Sequence, residues 1–221
     1  MRTNRAILTV FAAVMLAPAA LLSQEQFQGE IVYALSMQGR EGKARYMAKG
    51  NKVRQEMQFP GMPAGMYVLI DMDTRKAQTV MGPMYMEVDL GEMEAAMAGE
   101  TDKTPPLAKL GTSQTIAGHK CEDYRFGTEM EACIATGMGW YLSPPSGGMG
   151  RQRTASGPDW TAYRKEFKDG ALPLKLRMLV NGAWQDMMVA ESVEQKVLSD
   201  DLFKLDPKLQ KMPGGMRPPL N

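Results

Sequence analysis

Cys121 and Cys133 are the only cysteines in the chain, and Gly127 lies midway between them. A bond joining them commits the segment from Thr115 to Met138, which also holds the lone histidine His119, to a hairpin. A three-residue loop of Phe126, Gly127 and Thr128 suits such a turn, because these loops favour glycine at a left-handed position. In that register Cys121 faces Cys133 and Arg125 faces Glu129, while Tyr124, Phe126, Met130 and Ile134 gather on the other side for burial. Asp123 opposite Glu131 is its one unfavourable pair. The alternative is two free buried thiols; the compartment favours the disulfide.

The compartment follows from the start of the chain. Two arginines lie within Met1 to Arg5, followed by an uncharged apolar run from Ala6 to Leu22 that ends in small residues. This is the pattern of a secretory signal peptide, with cleavage expected between about Ala19 and Gln24. The run is short for a membrane span and Pro18 interrupts it. Residues 1–23 are therefore read as a signal peptide, 24–207 as one domain and 208–221 as a disordered tail. The protein is expected in the periplasm or outside the cell, with no transmembrane span after cleavage.

Among 221 residues, 26 are basic and 25 acidic, for a net charge of +1. That balance argues against a nucleic-acid partner, which requires a basic excess or stripe. Two cysteines make a single staple rather than a disulfide scaffold.

Alternation of period two dominates the mature chain. Phe27, Ile31, Tyr33, Leu35 and Met37 predict one half-buried strand, and Ala44, Tyr46 and Ala48 predict a second. After a turn at Gly50-Asn51, Val53, Met57 and Phe59 alternate with Lys52, Arg54, Glu56 and Gln58. Met66 to Ile70, Ala77 to Met81 and Met84 to Val88 continue a meander with short turns. Leu90, Met93 and Met97 then fall three and four apart, predicting a short helix from Leu90 to Ala98. A Gly/Pro-rich insert spans about 142–157. Beyond it Pro158, Trp160, Tyr163, Phe167 and Gly170 outline a second helix with an aromatic face. Asn181-Gly182 is a strong hairpin signal. It predicts Arg177 opposite Asp186, Leu179 opposite Trp184 and Leu176 opposite Met187. Ser199 is placed to cap a last helical turn holding Leu202 and Phe203.

No catalytic constellation emerges. His119 has no histidine cluster around it, and neither a Gly-x-Ser-x-Gly elbow nor a phosphate-binding loop occurs. No catalytic residue, resident metal or cofactor is assigned, and nothing fixes an oligomeric state. The unusual number is 21 methionines. Met62 with Met66, Met81 with Met84 and Met86, and Met93 with Met97 bring thioethers close in sequence, and thioethers suit Cu(I). Against this stands methionine as adaptable filler of apolar space. A curved antiparallel sheet holding short helices in its concavity favours a hydrophobic or lipid-like small molecule as partner. Its expected lining is Tyr33, Leu35, Met57, Phe59, Met84, Met86, Met93 and Met97. The rivals are a structural or protein-interaction domain with a filled core, and a methionine-based copper binder.

Several segments carry a resemblance. They are Phe27-x-Gly29-x-Ile31-x-Tyr33, Lys49-Gly50-Asn51-Lys52-Val53-Arg54, Thr115 to Cys121 with Tyr124, Leu172-Pro173-Leu174-Lys175 and Phe203-x-x-x-Pro207. Together they resemble an uncharacterised family of bacterial exported proteins known only as a domain of unknown function. That family is similar in fold to the periplasmic lipoprotein carriers, whose open barrel wraps a sheet around helices. The resemblance implies a mainly β half-barrel outside the cytoplasm that binds or carries lipid-like cargo. It brings no catalytic residues. The insert after Trp140 and the methionine load depart from the pattern.

Overall fold

The computed structural model describes residues 27–37, 39–62, 65–92, 105–139, 163, 165–168 and 170–212. Twelve strands form one curved, unclosed sheet: β1 Gly29–Met37, β2 Arg40–Lys49, β3 Lys52–Gln58, β4 Tyr67–Asp71, β5 Lys76–Met81, β6 Met84–Asp89, β7 Leu107–Ile116, β8 His119–Phe126, β9 Met130–Ala135, β10 Leu172–Val180, β11 Ala183–Gln195 and β12 Gln210–Lys211. Their order is β12-β6-β5-β4-β3-β2-β1-β11-β10-β9-β8-β7, two antiparallel meanders joined where β11 pairs with β1. Only β12 runs parallel to its neighbour, β6. Among the described residues, helix is confined to a first turn at Leu90, a 3-10 residue at Tyr163 and a 3-10 turn at Asp200–Phe203. The signal-peptide segment, Met93 and Met97, Trp140, Pro158, Trp160, the Gly/Pro-rich insert and the end of the tail lie outside the described residues.

The alternating sequences form strands because one face of each has apolar surface to bury. On β1, Ile31, Tyr33 and Leu35 are buried, and pairing carries the same face through Tyr46 and Ala48 of β2, Val53 of β3, Val68 and Ile70 of β4, and Ala77 of β5. Cys121, Cys133, Ala135, Leu172 and Leu174 join this cluster from the other half of the sheet, so the sheet curls around it. Gly42 is required there, since a side chain at that position would overlap the Phe59 ring.

The opposite face of β1–β6 is charged, yet Met47, Leu69 and Val80 on it are buried. A strap from Lys196 to Met212 crosses this side. Lys49 donates to the Leu198 carbonyl (2.8 Å) and pairs with Asp200 (2.7 Å), and Arg54 donates to the Leu202 carbonyl (3.2 Å). Ser199 caps the 3-10 turn by accepting from the Asp201 amide, as the sequence predicts. The strap ends on β6, where Gln210 N donates to the Pro83 carbonyl and Met212 N to that of Tyr85. Residues 208–212, read from sequence as tail, are therefore bound to the sheet edge.

The Cys121–Cys133 disulfide is present, with the Cα atoms 5.3 Å apart. The expected hairpin register is corrected by one loop position. The loop is Gly127, Thr128 and Glu129, Phe126 pairs with Met130, and Cys133 faces Asp123, so the cysteines bond diagonally. The shift replaces the expected Asp123–Glu131 clash with an Arg125–Glu131 pair at 2.6 Å. Gly127 keeps its left-handed conformation (φ 63°) at the first loop position.

The last hairpin turns at Asn181-Gly182 with φ of 52° and 80°. Arg177 faces Asp186 and Leu179 faces Trp184, as expected. Leu176 faces Met188 instead of Met187, because a bulge falls between Leu176 and Arg177.

Candidate functional site

Six of the eight expected lining residues are described, and strand pairing puts them on one face. Tyr33, Ala44 and Met57 lie in a row across β1, β2 and β3, with Leu35, Gly42 and Phe59 in the next row. On β6, Met84 faces Met81 and Met86 faces Thr79, which extends the same face. Their environments differ along it. Tyr33 and Leu35 are core: the Tyr33 hydroxyl donates to the Pro173 carbonyl at 3.1 Å. Met57, Phe59 and Met86 are half-buried, and Met84 is 40% exposed. The face thus opens from β1 toward β6.

The row through Met57 has a feature that the sequence reading missed. Met66, one residue before β4, continues the β3–β4 and β4–β5 registers, in which Tyr67 pairs with Glu56 and Val80. It therefore lies opposite Met57 on one side and Met81 on the other. Since Met81 pairs with Met84, four methionines stand side by side across four adjacent strands. The Met81–Met84 neighbours were readable from the Gly82-Pro83 turn. Met57 and Met66 were not, because the connection between β3 and β4 fixes no register by itself.

A concavity lies beside the disulfide, with a volume of about 110 Å³. Its polar walls include Thr112, Gln114, Asp123, Glu131, Lys175 and Arg177. Most of these groups pair with one another or with nearby residues; the buried Arg177 Nε lies 3.2 Å from Asp186 without hydrogen-bond geometry. Asp123 accepts from Thr112 (2.7 Å) and Gln114 (2.8 Å), Glu131 from Arg125 (2.6 Å) and Arg177 (3.5 Å), and Lys175 pairs with Asp186 at 3.0 Å. Trp184 lies under the guanidinium groups of Arg125 and Arg177, at 5.7 and 5.8 Å. His119 stands apart, opening β8 opposite Ile116 across the Ala117-Gly118 turn.

Aromatic packing backs the other side of this hairpin. Tyr163 and Phe167, read as part of a helical face, are buried and meet Phe126 and Tyr124 edge-on at 5.1 and 5.0 Å. Phe167 N donates to the Tyr163 carbonyl at 3.1 Å.

Two carboxyls on the charged face, Glu30 and Glu87, are shifted by their surroundings. Burial pushes the Glu30 carboxyl up, but hydrogen bonds from Lys196 and Arg45 outweigh it and hold the group below its usual value. Donation from Gln78, Lys211 and Lys76 lowers Glu87 from 4.5 to about 2. Both carboxylates anchor structure: Glu30 ties β1 to β2 and to Lys196 of the strap, and Glu87 ties β6 to β12.

Residues 27–208 match the family model described as a domain of unknown function (DUF4412). The chain belongs to this family. No curated protein matches it. Among solved structures, it is similar to an uncharacterized conserved protein from Thermus thermophilus, at 12% identity and a TM-score of 0.53, covering 86% of this chain and 91% of that one. This likeness concerns the fold. A weaker one, to PNGF-II, has 14% identity and a TM-score of 0.44, and covers 84% of this chain but 31% of that one. Among the described residues, no helix is long and apolar enough to cross a membrane.

Proposed function

We propose that this DUF4412 protein is an exported, non-enzymatic binder of an apolar or lipid-like small molecule, similar in design to the periplasmic lipoprotein carriers. The observation that carries the reading is the single sheet face bearing Met57, Phe59, Met84 and Met86, whose burial falls from β1 toward β6. Half-exposed methionine and phenylalanine on a curved face suit a flexible apolar guest, because thioether side chains repack readily. The Cys121–Cys133 bond supports an oxidising, extracytoplasmic location. The mutual pairing of charges beside the disulfide supports a non-catalytic role, since an acid–base site needs a group poised toward substrate.

The test is native mass spectrometry and organic extraction of protein purified without detergent, followed by titration of the delipidated protein with a fluorescent long-chain acyl probe. Co-purifying lipid and saturable probe uptake, weakened at least about tenfold by Met86→Glu, are expected. Protein that comes off clean and takes up no probe overturns the reading. Terminal sequencing of exported protein is expected to find a new N-terminus between Ala19 and Gln24.

A further inference from the structure

Met57, Met81 and Met84 lie on β3, β5 and β6, and Met66, one residue before β4, extends their row past the end of the ladder at Tyr67. Directly opposed residues of antiparallel strands hold their Cβ atoms about 5 Å apart. Each methionine carries three rotatable bonds, so neighbouring sulfurs can swing onto a common point. Leucine or valine would serve equally well to bury this surface, and the adjoining row, Tyr46, Gln55, Val68 and Thr79, uses methionine only at its β6 end, Met86. Nor are these four packed away like ordinary filler. Met47 and Met188 are 2% and 7% exposed, whereas Met57, Met66 and Met81 are half-buried and Met84 is 40% exposed. Neither row contributes a carboxylate or an imidazole from β1 to β6.

A donor set of neutral thioethers without oxygen anions discriminates against hard divalent cations and favours soft monovalent ones. We propose that the Met57–Met66–Met81–Met84 row is a binding site for Cu(I), with Ag(I) as its redox-inert probe. The ion sits between neighbouring strands and takes two thioethers from an adjacent pair, with further row members able to join or hand it along. The site shares Met57 and Met84 with the apolar-ligand face but needs their sulfur and no cavity, so the two readings fail separately.

The test uses the full protein with its disulfide oxidised. Ag(I) is titrated in while methyl-labelled methionine resonances are followed by NMR, and Cu(I) affinity is measured under ascorbate by competition with bicinchoninate. Saturable shifts confined to the four row methionines are expected, with at least about a tenfold loss of Cu(I) affinity in Met81→Leu/Met84→Leu and none in Met47→Leu. Leucine keeps the apolar wall and removes only sulfur, so the acyl probe read on the same variant separates the two readings. The absence of shifts, shifts spread over methionines outside the row, or wild-type Cu(I) affinity in the double variant would each overturn the proposal. Because the NMR experiment uses the unaltered protein, a variant that fails to fold leaves it decisive.

Discussion

The Tyr33 hydroxyl on β1 donates to the Pro173 carbonyl on β10, 3.1 Å away and 140 residues along the chain. Between those strands lies β11, so this side chain reaches across a whole strand. Pro173 is fully buried and sits at the register shift between β10 and β9. Removing the hydroxyl takes this bond from a buried acceptor, which costs about 1–2 kcal/mol. Tyr33→Phe is therefore expected to lower the urea midpoint without changing the slope. An unchanged midpoint would show that the bond contributes nothing net. Because Tyr33 is core, acyl-probe affinity in the folded variant is expected to stay at the wild-type level.

The disulfide joins residues twelve apart in sequence on adjacent strands. Chain entropy assigns a cross-link of this span about 3 kcal/mol. Both sulfurs are buried, so the Cys121→Ala/Cys133→Ala double variant also loses packing and is expected to fall by at least that amount in chemical denaturation. Mature protein from an oxidising host is expected to show no thiol reactivity even when denatured. Full reaction with a thiol probe would contradict the bond and weaken the case for export.

Glu131 gives the hairpin register a test of sign. In the observed register it faces Arg125, at 2.6 Å, and also reaches Arg177, with only 11% of its side chain exposed. Were the loop centred on Gly127, it would face Asp123, and its removal would relieve repulsion. Glu131→Ala is expected to destabilise by about 1–2 kcal/mol, allowing for partly exposed arginines. A stabilising effect would point to the other register.

The same comparison shows where sequence carries structural information and where it stops. Asn181-Gly182 fixed the last hairpin because a two-residue turn with both φ positive allows one register. Its pairing held up to Arg177 and failed at Leu176, where one extra residue bulges; nothing in the alternation marks a bulge in advance. The cysteine hairpin slipped because a three-residue loop can accept glycine at more than one position, and only the Arg125–Glu131 charges break the tie. The common face of Tyr33, Met57 and Met86 was legible from period two. That Tyr33 is core while Met84 is open was not, because it depends on the curl that brings Cys121 and Leu174 over one end of the sheet. The strap was invisible for a related reason. Met47, Leu69 and Val80 signal cover on the charged face, yet no local pattern says that a strap bonded through the Leu198 and Leu202 carbonyls crosses it.

The strap's last anchor is sensitive to acid. Glu87 accepts from Gln78 at 2.9 Å, Lys211 at 3.0 Å and Lys76 at 3.3 Å, and these bonds lower its pKa from 4.5 to about 2. A carboxyl depressed on folding contributes stability that is present above its unfolded value and lost as pH falls through its folded one. The window is therefore from about 4.5 down to about 2. Within it the Lys211–Glu87 bridge weakens, which leaves β12 held by its backbone pairing to β6, including the amides of Gln210 and Met212. Hydrogen exchange at those two amides, corrected for intrinsic rate, is expected to lose at least about tenfold protection across the window, about one pKa unit of coupling. Glu87→Gln is expected to show weaker protection at neutral pH and to lack the acid-dependent step. If wild type and Glu87→Gln respond alike to acid, the carboxylate does not hold the strap. Release at β12 alone, with protection of β1–β6 unchanged, would identify the strap as a locally opening unit of the fold.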